Sequence, residues 1–97
     1  MVVITGTITA SEDTIDELLA MSLEHVRRSR AEPGCLSHGV SRDAENPLRL
    51  IFIEQWADMA AVKQHFAVPE SAAFGRSASA LGAAPPTLEV FEATPAS

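Results

Sequence analysis

The spacing of hydrophobic and polar positions along this chain changes several times, and each change marks an element. Residues 2–10 alternate, with Ile4 and Ile8 on one face and Thr5, Thr7 and Thr9 on the other. That predicts a strand rich in β-branched side chains. From Ser11 the period lengthens, and Ile15, Leu18, Leu19, Leu23 and Val26 recur at helical spacing. Ser11 is the expected N-cap, with Glu12, Asp13 and Asp16 placing negative charge in or near the first turn. Glu24 can pair with Arg28 one turn on. Pro33-Gly34 stops the helix, because proline cannot continue the hydrogen-bond ladder and glycine accepts a positive φ. His25 sits among charged residues of this helix and is expected to be exposed.

Residues 35–42 return to alternation and predict a second strand, with Leu36, His38 and Val40 on one face and Cys35, Ser37, Gly39 and Ser41 on the other. Asp43 to Pro47 is turn chemistry and predicts a hairpin loop. The third strand, residues 48–56, is apolar on both faces, since Leu50, Phe52 and Trp56 share one side and Ile51 and Ile53 the other. Both sides therefore need cover. Asp58 is the expected N-cap of a second helix with Met59, Val62 and Phe66 as its buried stripe. Pro69 interrupts that helix, and residues 70–81 predict a further short Ala-rich helix in which Gly75 is unfavourable. Pro85-Pro86 breaks the chain before a last strand over 87–93 that carries Leu88, Val90 and Phe91. Residues 94–97 form a loose tail.

The order β-α-β-β-α-β predicts a single α+β domain over residues 1–97 with the ferredoxin-like arrangement, an antiparallel four-stranded sheet with its helices on one face. The bare face of such a sheet would expose branched aliphatic side chains, Ile51 and Ile53 among them. An uncovered apolar patch marks an association surface. Two copies pressed together through that face would close a dimeric α+β barrel, so a homodimer is expected.

Composition narrows the functions this fold could serve. The formal net charge is −6, with seven Lys and Arg against thirteen Asp and Glu, which argues against nucleic acid as a partner. The one basic cluster, Arg27, Arg28 and Arg30, falls at a helix end, where it complements the dipole. No stretch is long enough to span a membrane and the N-terminus lacks a signal-peptide pattern. Cys35 is the sole cysteine. That rules out an internal disulfide, suits a cytoplasmic protein, and reads as a small buried hydrophobe. The sequence spacing shows no Cys/His metal-ligand motif, no phosphate-cradling loop and no dinucleotide fingerprint.

Three segments, Glu32-Pro33-Gly34-Cys35-Leu36, Glu54-Gln55-Trp56 and Ala61 through His65, resemble the antibiotic biosynthesis monooxygenase family, whose members are small dimeric α+β-barrel proteins. The resemblance implies insertion of molecular oxygen into a quinol or hydroxylated polycyclic aromatic, with no metal, flavin or haem as cofactor. A deprotonated phenol can itself donate an electron to oxygen, and the protein supplies a base, a dry pocket and positioning. Relatives that degrade haem share a Trp on the third strand and a His on the next helix but also use an Asn on the first strand. This chain has Thr5, Thr7 and Thr9 there and departs from that pattern. Other members isomerise small phosphorylated sugars.

His65 is the candidate catalytic base, at the edge of the apolar stripe where it can face a cleft between sheet and helix. Trp56, Phe52, Phe66 and Phe74 are candidate substrate-binding walls that serve equally as core. His38 is either a satisfied buried histidine or a second pocket donor. Glu54 shares a face with Phe52 and Trp56, so it needs a partner, expected to be Arg49 or an arginine of a second copy. Two rival readings stay open beside the monooxygenase: an isomerase of a small metabolite in the same pocket, and a non-catalytic dimeric module that binds a small apolar ligand.

Overall fold

The computed structural model describes residues 1–97 and carries the elements β1 (Val2–Thr9), α1 (Ile15–Ser29), β2 (Cys35–Arg42), β3 (Arg49–Trp56), α2 (Met59–Ala67), α3 (Pro69–Leu81) and β4 (Thr87–Glu92). The four strands form one sheet in the order β2-β3-β1-β4, with every neighbouring pair antiparallel. This is the ferredoxin-like α+β fold expected from the element order. No helix is long and apolar enough to cross a membrane.

All three helices lie against one face of the sheet, and the core between them is in two parts. One joins Ile8, Leu50 and Phe52 of the sheet to Leu18 and Val26 of α1 and Ala78 of α3. The other joins Val2, Ile4 and Trp56 to Ala61 and Val62 of α2. Leu18, Leu50, Ile4 and Trp56 are fully buried, each contributing about 1.5–3 kcal/mol through removal of apolar surface from water. The opposite face is uncovered within one chain: Val3 pairs with Phe91, Thr5 with Ile53, and Ile53 is 55% exposed.

Several local details differ from the sequence expectation. Helix α1 begins at Ile15, because Ser11 and Thr14 form their own turn. The Thr14 hydroxyl accepts from the Ser11 N–H at 3.0 Å, and no side chain caps the helix. The helix ends at Ser29, ahead of Pro33. Gly34 still needs to be glycine, since its φ of 81° is the only positive value in the chain. Between Cys35 and Ser37 the β2–β3 register slips, with Cys35 opposite Trp56 and Ser37 opposite Gln55. The extra residue is Leu36, and this bulge changes the alternation. Cys35 turns toward the helices and packs on the Trp56 cluster, while Leu36 is 57% exposed. On α2 Val62 is buried and Met59 packs partly buried against the same cluster as expected, but Ala61 and His65 complete the inward stripe and Phe66 is left 46% exposed.

Candidate functional site

Three histidines from three different elements meet beneath the helices. His25 comes from α1, His38 from β2 and His65 from α2, and one ring nitrogen of each lies within 4.8 Å of those of the other two. All three are buried. The burial of His25 corrects the expectation that it is exposed. It follows Leu18 by seven positions, Ser22 by three and precedes Ser29 by four, and these residues, with Val26, form the inward face of α1.

Charged partners set the polarity of each ring. The Nδ1 of His65 donates to Oε1 of Glu32 at 2.8 Å, since an ionised carboxylate can only accept. Glu32 belongs to the loop between α1 and β2. The Nδ1 of His25 lies 2.9 Å from an amino nitrogen of Arg28. A guanidinium only donates, so this Nδ1 accepts and the ring proton sits on Nε2. Burial first, then the neighbouring His38, His65 and Arg28, hold the His25 pKa down at about 3, so the ring is neutral near pH 7. Its plane is fixed by Phe74, stacked at 4.2 Å and 11°.

Glu54 stands behind this pair. Its Oε1 accepts from Trp56 Nε1–H at 2.9 Å and lies 3.1 Å from His38 Nε2 and 3.9 Å from His65 Nε2. The His38 contact is short but too badly aligned to count as a hydrogen bond. Burial pushes the Glu54 carboxyl up, but His38, Trp56 and His65 together outweigh it and hold the group below the ordinary carboxylate range. These partners are not those expected. Arg49 instead lies 3.8 Å from Asp43 at the hairpin.

A cavity of about 380 Å³ opens beside the cluster, between the helices and strands β1, β3 and β4. His65, Phe52, Phe66 and Phe74 line it, as do His25 and Glu54. Trp56 and His38 do not, contrary to their expected place as pocket residues. Trp56 is fully buried behind His65, with ring centroids 4.6 Å apart, and both Trp56 and His38 approach Glu54. Exposed Phe66, Pro86 and Leu88 place the mouth between α2 and β4. Gly6 forms part of the floor, where a Cβ would come within 2.8 Å of the Thr87 carbonyl oxygen, so the approach of β4 requires glycine there.

Three imidazoles is the number many metal sites use, and the fold gathers them where sequence spacing gave no ligand motif. The donor set does not fit a metal as it stands. Arg28 engages the one lone pair of His25 and leaves a proton on the other nitrogen, so that ring offers no ligand atom to the centre. Cys35 does not extend the set. Burial, followed by Glu32, raises its thiol pKa, as suits an inert packing residue.

Fold and site together define a ferredoxin-like α+β domain with a largely apolar small-molecule cavity and a hydrogen-bonded histidine cluster at its inner wall. The sequence model of the family described as antibiotic biosynthesis monooxygenase matches residues 1–77, and the chain belongs to that family. A solved antibiotic biosynthesis monooxygenase superposes with a TM-score of 0.89 at 27% identity, covering 98% of this chain and 100% of that one. A structure from Deinococcus radiodurans gives 0.94 at 27% identity, covering 99% and 95%. An uncharacterized protein of Synechocystis is 30% identical over 91 residues. The match takes in 94% of this chain, which spans 62% of the length of that relative.

Proposed function

We propose that this protein is a cofactor-independent monooxygenase that oxidises a quinol or hydroxylated polycyclic aromatic with molecular oxygen, using His65 as the base. The observation that carries this reading is the position of His65. Its Nδ1–H is bound to Glu32, and its ring lines a cavity of about 380 Å³ that has aromatic and aliphatic walls and also takes in His25 and Glu54, a size within the usual range for small-molecule sites. The Glu32 carboxylate orients the ring and, by taking the Nδ1 proton as its hydrogen bond, leaves Nε2 as the acceptor, the logic of a base held by a third group. Phe52, Phe66 and Phe74 supply an aromatic wall.

In the reaction the substrate's phenolic proton passes to His65 Nε2, and the resulting phenolate is electron-rich enough to reduce oxygen. In an anthrone-like phenol, which carries a CH₂ between its aromatic rings, that carbon then becomes C=O and His65 returns its proton to the phenolate oxygen. One oxygen atom enters the product, while the other leaves as water with the two hydrogens of that carbon. Burial of the base and the apolar walls keep bulk water from the reacting carbon. No Lys or Arg lines the cavity, so a phosphorylated metabolite would find no counter-charge there, and the isomerase reading is the weaker one.

The test is oxygen consumption by metal-stripped protein over a panel of quinols and anthrone-like phenols, with uncatalysed autoxidation subtracted. Turnover above background that disappears in a folded His65→Ala variant is the expected result. A broad panel without turnover would leave the protein as a ligand-binding module.

A further inference from the structure

We propose that His25 is the hydrogen-bond donor of the cavity. Its proton is fixed on Nε2 by Arg28, and with His65 accepting through Nε2 the two rings form a donor–acceptor couple that selects ligands bearing a hydroxyl beside a carbonyl. The inference rests on His65 being the base and adds the group that receives the charge the base creates.

The opposition of the two rings follows from their outer partners. Glu32 can only accept from His65, and Arg28 can only donate to His25, so the nitrogens left over have opposite character: an acceptor on His65 and a donor on His25. Both residues line the cavity, their ring centroids are 5.4 Å apart, and the His25 Nε2 has no hydrogen-bond partner within the protein. One ring nitrogen of each residue lies within 4.8 Å of the other's, and a hydroxyl and a carbonyl oxygen about 2.7 Å apart, the separation of an O–H···O pair, can bridge two rings this close. When the hydroxyl gives its proton to His65, the negative charge spreads onto the carbonyl oxygen. A neutral N–H placed there stabilises that charge without giving up its own proton. The ring stays neutral because of its surroundings: burial is the largest influence, His38 from β2, His65 from α2 and Arg28 from α1 act with it against protonation, and only Glu54 from β3 favours protonation. Helix α3 contributes the uncharged face of Phe74. Arg28 acts through His25 and is a positioning residue.

The experiment uses 1-hydroxyanthraquinone, whose hydroxyl adjoins a carbonyl, and 2-hydroxyanthraquinone, whose hydroxyl does not. Both are already oxidised and change colour on ionisation. Titrating each in the presence of metal-free protein measures how strongly the site prefers phenolate to phenol. The expected preference is roughly tenfold or more for the 1-hydroxy isomer, read as a fall of about one unit in its apparent pKa, and it is weaker for the 2-hydroxy isomer. His25→Phe, which keeps an aromatic ring for Phe74 to stack on, should abolish the preference. His25→Gln, which keeps an N–H, should restore most of it. Arg28→Met should diminish it and make it vary with pH near neutrality. A preference that survives in His25→Phe, equal treatment of the two isomers, or failure of wild type to bind either would each overturn the proposal. Oxygen is not consumed in this assay, so an intact phenolate preference without turnover would defeat the monooxygenase reading alone.

Discussion

Acidification should destabilise this protein well before its carboxylates titrate, and His25 is the main identified cause. The unfolded chain takes up a proton at His25 near the ordinary value of 6.5, whereas the native site holds the pKa at about 3. Below 6.5 the unfolded state therefore binds more protons, so stability is lost as pH falls from 6.5 toward 3. At pH 5 the loss is about 2 kcal/mol, from 1.36 kcal/mol for each of the 1.5 pH units below the unfolded value. Glu54 acts in the same direction only lower down, through its own depressed pKa, so stopping at pH 5 largely separates the two. The assay is urea unfolding at pH 7.5 and pH 5.0, followed by fluorescence of Trp56, the only tryptophan and fully buried. Wild type should lose about 2 kcal/mol more than His25→Gln between the two pH values. Equal losses would refute the argument, because they would mean that the folded site tolerates a charged His25.

Other perturbations reach other parts of the structure. Glu54→Leu leaves the Trp56 N–H without its buried acceptor, removes the carboxylate beside His38, and should cost about 2–4 kcal/mol in urea unfolding at pH 7.5. Gly75→Ala should raise stability by about 0.5–1 kcal/mol, since Gly75 lies within α3 and an added Cβ meets nothing within 4 Å. We propose that the uncovered sheet face carries a second copy of the chain. Sedimentation velocity should then find a dimer that Ile53→Lys converts to monomer, whereas a monomeric wild type would contradict this.

Much of the fold is legible in the sequence because alternation and helical spacing are local signals. The four strands, the helix opened by Asp58 and the break at Pro69 follow from them directly. Asp58 does cap α2, its Oδ1 accepting from the Ala61 N–H at 2.9 Å. The bulge at Leu36 is not legible, because a one-residue slip leaves the hydrophobic pattern of β2 unchanged while altering which residues face the helices. The phase of α2 is shifted for a related reason: small Ala61 packs inward and Phe66 is left at the cavity wall.

The site was half legible. His65 could be placed near a cleft from the stripe of α2, and Glu54 was marked by being a carboxylate on a buried face. The charged residues that define the site's polarity escaped. Glu32 reaches His65 across 33 positions of sequence, a contact set only by the folded chain. Arg28 reads as one of three helix-end arginines, although its i, i+3 spacing from His25 allowed the contact it makes. Arg30, beside it, anchors β2 by donating to the His38 carbonyl at 2.9 Å. His25 was hidden by charged neighbours, yet its register with Leu18 and Ser22 carried the signal.

The central claim is that two histidines of opposite polarity face one cavity, and nitrogen-15 NMR of the imidazole rings tests it most directly. At pH 8 the account predicts an unprotonated Nδ1 and a protonated Nε2 on His25, with the reverse on His65, and the His25 pattern should persist at pH 5. A protonated Nδ1 on His25, or a His25 ring that is doubly protonated by pH 5, would contradict it.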